Sequence, residues 1–557
     1  MSPELPYLAV DAGSTFTKAF LLDEVEGERR LVAVGRASTL GDDGQPVPDQ
    51  AAARAVAQVL AIAGRSPSDA RVQSVQRSFP AAPRALVVAA RESTAREALA
   101  GLAHLPLLKL EPVVLAASGG ASAEQVLAAV EAQAPDALVI AGNGIPSGAD
   151  VRALRAAIEA LRHGVGGPVP HVVALGDGAF TGWVSPLLEG IRHEIAPFDD
   201  AELVNQALAP LLAGSSCDGV RVATEMVAER YDVDVLTLDL GAAHALAVVA
   251  SGTTGRRRVV SVNRDDLGLR RGRPSILEAA GAESILRWMP VDVEVEALRG
   301  DARRGASAPA SVPETPEELL LDHAFAREAL RLLIAGLHFG SSTAGEAGKG
   351  PPPIDLLIGS GGVLASAPRL IQAALILLDA VQPEALTQLA LDRATALPLL
   401  GHLGATLGHQ GVGAALERDG LLNLGLCIAP AGAGREGETA IRVEVAYATR
   451  SPVTVEVPFG AIEVIPLASG ERAALKLWPS RDFDVGLGRG NAATPRAEVE
   501  GGAVGIIVDA RGRPLSLPEP HEKRQAKLLQ WLQSTSAYAP LSFVQSEAGA
   551  AGAGAEG

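Results

Sequence analysis

Strand-like runs of aliphatic residues alternate with helical patterns rich in Ala, Leu and Arg through most of this 557-residue chain. The strand-like runs include "PYLAV", "ALVVAA", "DALVI" and "HVVAL", and "DVRALRAAIEALRHG" has the periodicity of an amphipathic helix. Such alternation is typical of α/β proteins, whose mostly buried sheets are covered by helices. The pattern begins again at "VDVLTLDLGAAHALAVVASG" near residue 233 and at "PPIDLLIGSGGVLASAPRL" near residue 353. The sequence therefore predicts an α/β fold that starts the same strand pattern more than once.

Beyond about residue 430 the pattern changes to an alternation of apolar and polar residues. The stretch "TAIRVEVAYATRSPVTVEVPFGAIEVIPL" repeats with a period of two, which predicts antiparallel strands. It is followed by "PEPHEKRQAKLLQWLQST", a charged helical pattern, and by the low-complexity tail "EAGAAGAGAEG". We therefore expect a strand-rich region, a helix and a disordered end.

Charge and cysteine content exclude several classes of function. The net charge of −17 repels phosphate backbones, so we expect no nucleic-acid partner. Cys217 and Cys427 are the only cysteines and have no metal-ligand spacing, which excludes a four-cysteine site within one chain. The N-terminus lacks the order of a signal peptide, and the apolar run near residue 375 is too short to cross a bilayer. We expect a cytoplasmic protein with no membrane association.

The opening stretch "YLAVDAGSTFTK" joins two strand-like runs through a turn that suits an anion. Gly13 permits a tight turn, and the backbone N–H groups and hydroxyls of Ser14 and Thr15 can converge on a phosphate. Asp11 can hold Mg²⁺ through water, and Lys18 can reach a terminal phosphate as a point charge. The alternative is an ordinary hairpin with a glycine in its turn.

Two later stretches add parts of the same kind. "LTLDLGAAHALAVV" repeats the order of strand, acid, glycine, turn and strand with Asp239 and Gly241. "DLLIGSGGVL" is a strand followed by a turn containing Gly359, Ser360 and Gly361–Gly362, where a base and sugar could approach the backbone closely. The three stretches together favour a nucleotide cleft over three unrelated turns.

In this order the elements resemble the sugar kinase/heat-shock-70/actin superfamily, in which ATP lies between two similar lobes. The resemblance narrows to the MutL family, also called glutamate mutase L, of accessory proteins for adenosylcobalamin-dependent mutases. It is carried by "LAVDAGSTFTK", "VVLAASGGAS", "LVIAGN", "LDLGAAHA", "VNRDDLGLR" and "LLIGSGGVL", and it covers roughly residues 6 to 420. The resemblance implies a two-lobed actin-like ATPase fold of duplicated ribonuclease H-like domains, followed by a small β-rich domain.

The same resemblance implies a division of the chain. We expect a first lobe over 1–232, a second over 233–395 with flexible insertions at 299–318 and 340–353, and a helix over 396–428 that returns to the first lobe. The β-rich domain is expected over 429–515, a helix over 516–540 and a disordered tail over 541–557.

ATP and Mg²⁺ are the cofactors that the resemblance implies, and subunits of a mutase such as glutamate mutase are the implied partners. Asp11 and Asp239 are the expected magnesium residues, acting through water. The expected nucleotide site consists of Asp11, Gly13, Ser14, Thr15, Thr17, Lys18, Asp239, Gly241, His244, Gly359, Ser360, Gly361 and Gly362.

The second turn departs from the family pattern. Ala242, His244, Ala245 and Leu246 stand where the family has Gly, Thr, Thr and Asp, so two hydroxyls and a carboxylate are missing. Loss of one well-placed transition-state donor costs about 2.7–4 kcal/mol, so any ATPase activity should be slow. His244 is either a protonated phosphate donor or a partly buried histidine.

Three other functions remain as alternatives. A nucleotide-binding scaffold without catalysis fits the altered second turn. A small-molecule kinase would need the carboxylate that Leu246 replaces. An activator of radical dehydratases would need cluster cysteines that a chain with two cysteines cannot supply alone.

Overall fold

The computed structural model describes most of the chain. The described residues are 6–41, 47–66, 73–75, 83–102, 105, 107–115, 122–146, 148–164, 170–212, 216–253, 257–337, 353–494 and 498–538. Most of the predicted insertion at 340–353, the predicted tail at 541–557 and the stretch 116–121 of "VVLAASGGAS" lie outside them.

The chain begins with a four-stranded sheet in the order β3-β2-β1-β4, where β1 and β4 run parallel and the other pairs are antiparallel. Its elements are β1 (Tyr7–Ala12), β2 (Phe16–Val25), β3 (Glu28–Ser38), α1 (Pro48–Ile62) and β4 (Gln73–Val75). Alternate residues of β1 face opposite sides of the sheet. Leu8 and Val10 pack with α1, whereas Tyr7 and Ala9 belong to a core shared with later helices.

Residues 84–212 form a doubly wound unit that the sequence analysis did not separate from the first lobe. Its parallel strands lie in the order β6-β5-β8-β9-β10, with β7 also paired to β5. Helices bury apolar side chains on both faces. The elements are β5 (Arg84–Ala89), α2 (Glu92–Gly101), β6 (Leu108–Lys109), β7 (Val113–Val114), α3 (Ala123–Gln133), β8 (Ala137–Gly142), α4 (Ala149–Gly164), β9 (His171–Gly176), α5 (Gly178–Val184), a 3₁₀ turn at Ser185–Leu188, β10 (His193–Ala196) and α6 (Ala201–Leu212).

The strand order of the first sheet recurs after residue 233, as a duplicated fold requires. Three antiparallel strands are followed by parallel ones in the order β13-β12-β11-β14-β15. The elements are α7 (Ser216–Tyr231), β11 (Val235–Leu240), β12 (Ala245–Ser251), β13 (Arg258–Arg264), α8 (Arg273–Ala280), α9 (Ala282–Leu286), α10 (Val295–Ser307), α11 (Pro316–Ala335), β14 (Leu356–Ser360), α12 (Gly362–Ala365), α13 (Leu370–Val381), β15 (Ala385–Leu391), α14 (Leu397–Leu407), a 3₁₀ turn at His409–Gly411, α15 (Gly413–Ala415) and a π turn at Leu416–Gly420.

The helix expected over 396–428 is shorter than predicted, because α14 ends at Leu407 and residues 422–429 form a strand of the second sheet. The helix α14 packs against α7. Gly401 and Gly219 lie at their crossing, where a Cβ on Gly401 would be 1.7 Å from the Gly219 carbonyl oxygen. Leu400 of α14 shares a core with Tyr7 and Phe20 of the first sheet. The small residues of "GHLGATLG" therefore allow two helix backbones to touch between the two sheets.

The prediction of a flexible loop over 299–318 is wrong for its first half. Residues 295–307 form α10, which buries Leu298 and Ala302. Only 308–315 remain irregular before Thr315 caps α11, its hydroxyl accepting a hydrogen bond from the Glu318 N–H. The Gly, Ala and Ser content predicted a loop, but α10 buries Leu298 and Ala302 on one face and pairs Asp301 with Arg273 of α8.

The strand-rich character of the C-terminal region is confirmed. Four strands form a sheet in the order β19-β18-β21-β23, and its apolar core is shared with Leu426, Ile428, Ile465, Ile506 and Val508 of the second sheet. The remaining elements are β16 (Leu422–Ala429), β17 (Ala431–Gly432), β18 (Thr439–Tyr447), β19 (Val453–Pro458), β20 (Ile462–Ile465), β21 (Arg472–Pro479), β22 (Phe483–Asp484), β23 (Val499–Glu500), β24 (Gly505–Asp509) and α16 (His521–Ser534).

The predicted boundary at residue 429 does not separate this region as an independent domain. The second sheet continues through β16, β24 and β20 to eight strands. Strand β24 is buried along its whole length and pairs in parallel with β16, where Gly425 and Gly505 face each other. Leu528 and Trp531 of α16 join the core of the second lobe. Period-two alternation indicates a strand but not the sheet to which it belongs.

Within the described ranges, no helix is both long enough and apolar enough to cross a membrane.

Candidate functional site

Two hairpin turns repeat one geometry at the carboxyl ends of β1 and β11. The Gly13 N–H donates to the Phe16 carbonyl at 3.1 Å, and the Gly241 N–H donates to the His244 carbonyl at 2.9 Å. In register, Asp11 lies opposite Lys18, and Asp239 lies opposite Leu246. The two acids are therefore equivalent, but only the first turn has a lysine across from its acid.

The first turn carries a buried hydroxyl with no partner. Lys18 Nζ lies 3.2 Å from Asp11 Oδ2, so the acid and the lysine form an ion pair. Thr15 is 6% exposed, and its Oγ1 makes no hydrogen bond within the described part of the chain. Such an orphaned oxygen costs about 1–3 kcal/mol unless a ligand satisfies it. Thr15 also borders the large cavity described below.

Thr17 has a different role from the one predicted. It is fully buried, and its Oγ1 lies 2.9 Å from Thr39 Oγ1, which in turn donates to the Gly13 carbonyl at 2.8 Å. These two hydrogen bonds stabilise the turn through the Gly13 carbonyl. Thr17 therefore supports the turn and does not itself face a ligand.

The second turn holds a histidine against its acid. His244 Nε2 lies 3.6 Å from Asp239 Oδ2, an ion-pair contact that is too long for an ordinary hydrogen bond. Burial disfavours the charged imidazole, but Asp239 and Cys217 outweigh burial and raise the pKa of His244 well above its usual value. Burial likewise opposes ionisation of Asp239, yet His244, Lys18 and Ser360 together lower the pKa of that carboxyl. The raised pKa favours the imidazolium form, and Nε2 faces Asp239 as an ion-pair partner but has no hydrogen bond of ordinary length among the described residues.

Asp392, which was not among the predicted site residues, is fully buried and contacts Ser360. Ser360 Oγ donates to its Oδ2 at 3.0 Å, and the N–H groups of Ala396 and Leu397 donate to the same carboxyl. Burial raises the pKa of Asp392 to about 6, against these hydrogen bonds and against Lys18. Because Lys18 lowers the pKa of both Asp239 and Asp392, the two hairpins belong to one electrostatic site.

Two glycines allow the backbones around the second turn to meet. Gly361 has φ +92°, and a Cβ there would be 2.2 Å from the Leu240 carbonyl oxygen. Gly268, in "NRDDLG", lies against the turn itself, where a Cβ would be 2.3 Å from the Ala243 carbonyl carbon. The next N–H groups of that loop donate to the turn, as Leu269 does to the Gly241 carbonyl at 2.9 Å. Gly359, by contrast, packs against the side chains of Leu377 and Leu364.

A cavity of about 580 Å³ lies between the two sheets beside these turns. Its lining from the predicted site consists of Thr15, Gly241 and Gly362. The rest of the lining includes Phe16, Arg36, Arg270, the segment 311–316, His323, Gln372 and Tyr538, none of which was predicted. The volume suits a nucleotide-sized ligand.

The cavity-lining residues that were not predicted belong to no recognisable local sequence motif. The Arg36 guanidinium lies 3.9 Å from the centre of the Phe16 ring, and its Nη1 is 3.4 Å from Ser366 Oγ on the opposite side of the cleft. Tyr538 reaches the cavity from the C-terminal end of the described chain and contacts His323. Such contacts join residues far apart in sequence, so no local pattern contains them.

The two acids predicted for magnesium do not form a protein metal site by themselves. Within the described ranges, no cluster of three or more His, Cys, Asp or Glu side chains could hold a metal ion. Asp11 is paired with Lys18 and Asp239 with His244. The donor set therefore fits a polyphosphate more closely than a bare cation, and Mg²⁺ fits only as an ion that arrives on phosphate and keeps its waters.

Comparisons with known proteins found similar solved structures and one matching family. Similar solved structures include nucleotide-free acetone carboxylase (12% identity, 81% of each chain covered, TM-score 0.29). They also include component A of (R)-2-hydroxyglutaryl-CoA dehydratase from Acidaminococcus fermentans (11% identity, 72% of this chain and 96% of that chain, TM-score 0.25). A third is the activator of 2-hydroxyisocaproyl-CoA dehydratase from Clostridium difficile with bound ADPNP (10% identity, 72% and 94%, TM-score 0.27). No curated protein matches the sequence.

The family comparison covers both the second turn and the glycine turn. The matching family is described as MutL protein, and the match ends shortly after α14. Over residues 206–413, this chain matches the family described as MutL protein, which agrees with the resemblance carried by "LDLGAAHA", "VNRDDLGLR" and "LLIGSGGVL" in that range.

Proposed function

We propose that this protein binds ATP in the cleft between its two sheets and assists a partner enzyme. One observation carries the proposal: two equivalent turns beside the cavity each hold a buried polar atom without a hydrogen-bond partner in the described chain, Thr15 Oγ1 and His244 Nε2. Both atoms can donate to phosphate oxygens. The Lys18 ammonium and the His244 imidazolium add the charge that a polyphosphate requires.

Mg²⁺ is proposed as the companion of the nucleotide. Asp11 and Asp239 would hold it through water, and it would neutralise phosphate charge beside the two turns. The residues of this chain would orient the phosphates: Thr15 by its hydroxyl, Gly241 by leaving the backbone accessible, and Lys18 as a point charge.

The proposed partner is an adenosylcobalamin-dependent mutase, with reactivation, cofactor loading or assembly as the form of assistance. The MutL match over 206–413 supports this choice. Nucleotide binding between two sheets could change their relative orientation, which a partner could sense. The test is whether the purified protein restores turnover to an inactivated mutase in the presence of ATP. No restoration with any cobalamin-dependent mutase would remove the partner assignment and leave the nucleotide site standing.

A nucleotide-binding scaffold without hydrolysis is the second candidate. It is favoured by the second turn, where Ala242, Ala245 and Leu246 offer neither a hydroxyl nor a carboxylate to a reacting water. ATPase turnover, measured with and without mutase subunits, separates the two candidates. Turnover stimulated by a mutase would exclude the scaffold.

Thr15→Val is expected to weaken ATP binding by about 10-fold to 100-fold, because a hydrogen bond to a charged group contributes about 1.5–3 kcal/mol. The substitution keeps the β-branched shape and removes only the unpartnered hydroxyl. Isothermal titration with ATP and Mg²⁺ measures the change. Thr454→Val, on the exposed strand β19, is the matched control and should bind as the wild type does. Equal affinity for both variants would remove Thr15 from the site.

We expect ATP affinity to fall as pH rises through the pKa of His244, which lies above 6.5. The imidazolium then loses the charge that attracts phosphate. Stability follows the same sign, since the raised pKa adds stability below pH 6.5 that is lost as pH rises through the folded value. The groups that act on His244 are Asp239 and Cys217, and Lys18 acts in turn on the Asp239 carboxyl.

His244→Asn is the variant that checks this pH dependence. Its ATP affinity should be weaker at low pH and should change less with pH than that of the wild type. Titrations from pH 6 to pH 9 compare the two proteins, so that protonation of ATP itself cancels. Parallel pH profiles would show that His244 does not act as a charged ligand.

A further inference from the structure

Tyr538 and His323 form a hydrogen-bonded pair in the wall of the cleft. Tyr538 Oη lies 2.5 Å from His323 Nδ1, and both residues line the 580 Å³ cavity. Tyr538 follows α16, which is anchored to the strand-rich region by the Trp531 Nε1–H bond to the Gly460 carbonyl at 2.8 Å. Ser534 adds a bond to the Ile462 carbonyl at 2.7 Å. The strand-rich region and α16 therefore hold Tyr538 at the cavity.

The protonation states of His323 and Tyr538 decide whether His323 Nε2 is a donor or an acceptor. Burial, with the nearby Arg327 charge, lowers the pKa of His323 to about 3, so the imidazole is neutral. Burial raises the pKa of Tyr538 to about 12, so the phenol keeps its proton. We assign the phenol proton to the hydrogen bond with His323 Nδ1, which places the hydrogen of the neutral imidazole on Nε2.

His323 Nε2 is a hydrogen-bond donor without an acceptor among the described residues. His323 is 1% exposed, and Nε2 has no hydrogen-bond partner in the described part of the chain. A buried donor of this kind costs about 1–3 kcal/mol when it is left unsatisfied. Tyr538 holds the ring from the Nδ1 side, so the orientation of the donor is fixed before any ligand binds.

Part of the cavity lining suits the apolar faces of a flat ligand. The cavity lining includes Pro309, Val312, Pro313, Val363 and Pro368, none of which has a polar side chain. A nucleobase has apolar faces and ring nitrogens that accept hydrogen bonds at its edge. Phosphate groups, by contrast, find their donors at Thr15 and at the second turn.

We propose that His323 binds the base of the nucleotide, with Nε2–H donating to a ring nitrogen of the base and Tyr538 positioning the imidazole. The C-terminal segment, which lies outside the residues that match the MutL family, is then part of the nucleotide site. This inference rests on the proposed ATP function. It adds a recognition role for a residue, Tyr538, that is 215 positions from its partner.

The experiment separates the base from the phosphates by using three probes: adenosine, inorganic tripolyphosphate and ATP. Isothermal titration of each probe is carried out on the wild type, His323→Leu, His323→Gln and Tyr538→Phe. His323→Leu should weaken adenosine and ATP by about 10-fold, the value of one hydrogen bond of about 1.4 kcal/mol, and leave tripolyphosphate unchanged. His323→Gln restores a side-chain donor and should recover part of the loss. Thr15→Val should show the reverse pattern, losing tripolyphosphate affinity while keeping adenosine.

Tyr538→Phe tests the positioning role with little risk to folding. It keeps the ring and removes the hydroxyl that fixes the imidazole, so ATP should weaken by about 3-fold, with tripolyphosphate unaffected. Tyr447→Phe is the matched control, because its hydroxyl bonds to the Pro466 carbonyl in an exposed part of the strand-rich region. Thermal unfolding of every variant identifies any that fails to fold, in which case Tyr538→Phe and His323→Gln decide the question.

Each outcome decides between the two proposals. If the wild type binds ATP and tripolyphosphate but no His323 or Tyr538 variant changes the ratio of ATP to tripolyphosphate affinity, the base assignment is overturned and the ATP function stands. If adenosine binds in a His323-dependent way while tripolyphosphate and ATP do not bind, the base site stands and the ATP function fails. Equal losses for all three probes would indicate a general structural role and would also overturn the base assignment.

Discussion

Gly361→Ala is expected to destabilise the protein by about 3 kcal/mol or more. The methyl group would enter a backbone with φ +92°, which costs an L-residue about 1–2 kcal/mol, and would lie 2.2 Å from the Leu240 carbonyl oxygen. Relief of that contact requires β11 and β14 to move apart, and overpacking of this kind costs about 1–3 kcal/mol more. The second turn follows Leu240 directly, so ATP affinity should fall together with stability.

The neighbouring glycine provides the control for this experiment. A Cβ on Gly362 would meet nothing within 4 Å, so Gly362→Ala should change the free energy of unfolding by no more than about 0.5 kcal/mol. Urea denaturation of the two variants compares the same chemical change one residue apart. Equal midpoints would show that β11 and β14 do not approach as closely as the structure describes.

Asp509→Asn is expected to cost about 3–5 kcal/mol, because it removes the partner of two buried arginines. Arg511 Nε lies 2.8 Å from Asp509 Oδ1, and Arg513 Nη2 lies 2.8 Å from Oδ2. Arg511 also reaches Asp379 of α13 at 2.8 Å, so the network joins β24 to the core of the second lobe. Loss of Asp509 should therefore unfold the lobe and the strand-rich region in one transition.

The pH dependence and a surface ion pair provide the controls for Asp509. Burial opposes ionisation of this carboxyl, but Arg511 and Arg513 outweigh burial and hold its pKa well below the usual range. The stabilisation is therefore present above about pH 4 and is lost as pH falls through the folded value, so wild type and variant should converge in acid. Glu436→Ala breaks an ion pair of Lys527 with an exposed glutamate and should cost less than about 1 kcal/mol. Two separate transitions in Asp509→Asn would contradict the shared core.

The parts of the site that lie within one hairpin could be predicted from the sequence. Asp11 and Asp239 end strands and precede a glycine turn, and this order is local enough to read directly. The same logic could have identified Asp392, which ends the strand "LALD" beside β14, had every acid-ended strand been considered. Thr17 shows the limit of the method, since its hydroxyl is engaged by Thr39, and nothing in the turn itself indicates that partner.

The rest depended on contacts between distant segments. The pairing of β16 with β24 and that of His323 with Tyr538 join residues far apart in the chain, which no periodicity encodes. The doubly wound unit over 84–212 has the same alternation of strands and helices as the lobe into which it is inserted, so composition gave no boundary. The helix α10 was not predicted, because the glycines in its sequence are typical of loops.

The pairing of β16 also has a consequence for biosynthesis. β16 lies between β15 and β24, but β24 is made about 80 residues later, at the ribosome's pace of about 5–20 residues per second. For several seconds the nascent second lobe therefore has an open strand edge whose hydrogen-bonding groups face water. An exposed edge of this kind is a template for pairing with other chains. When Gly505–Asp509 is synthesised and pairs with β16, it covers this edge and thereby protects the nascent protein from aggregation.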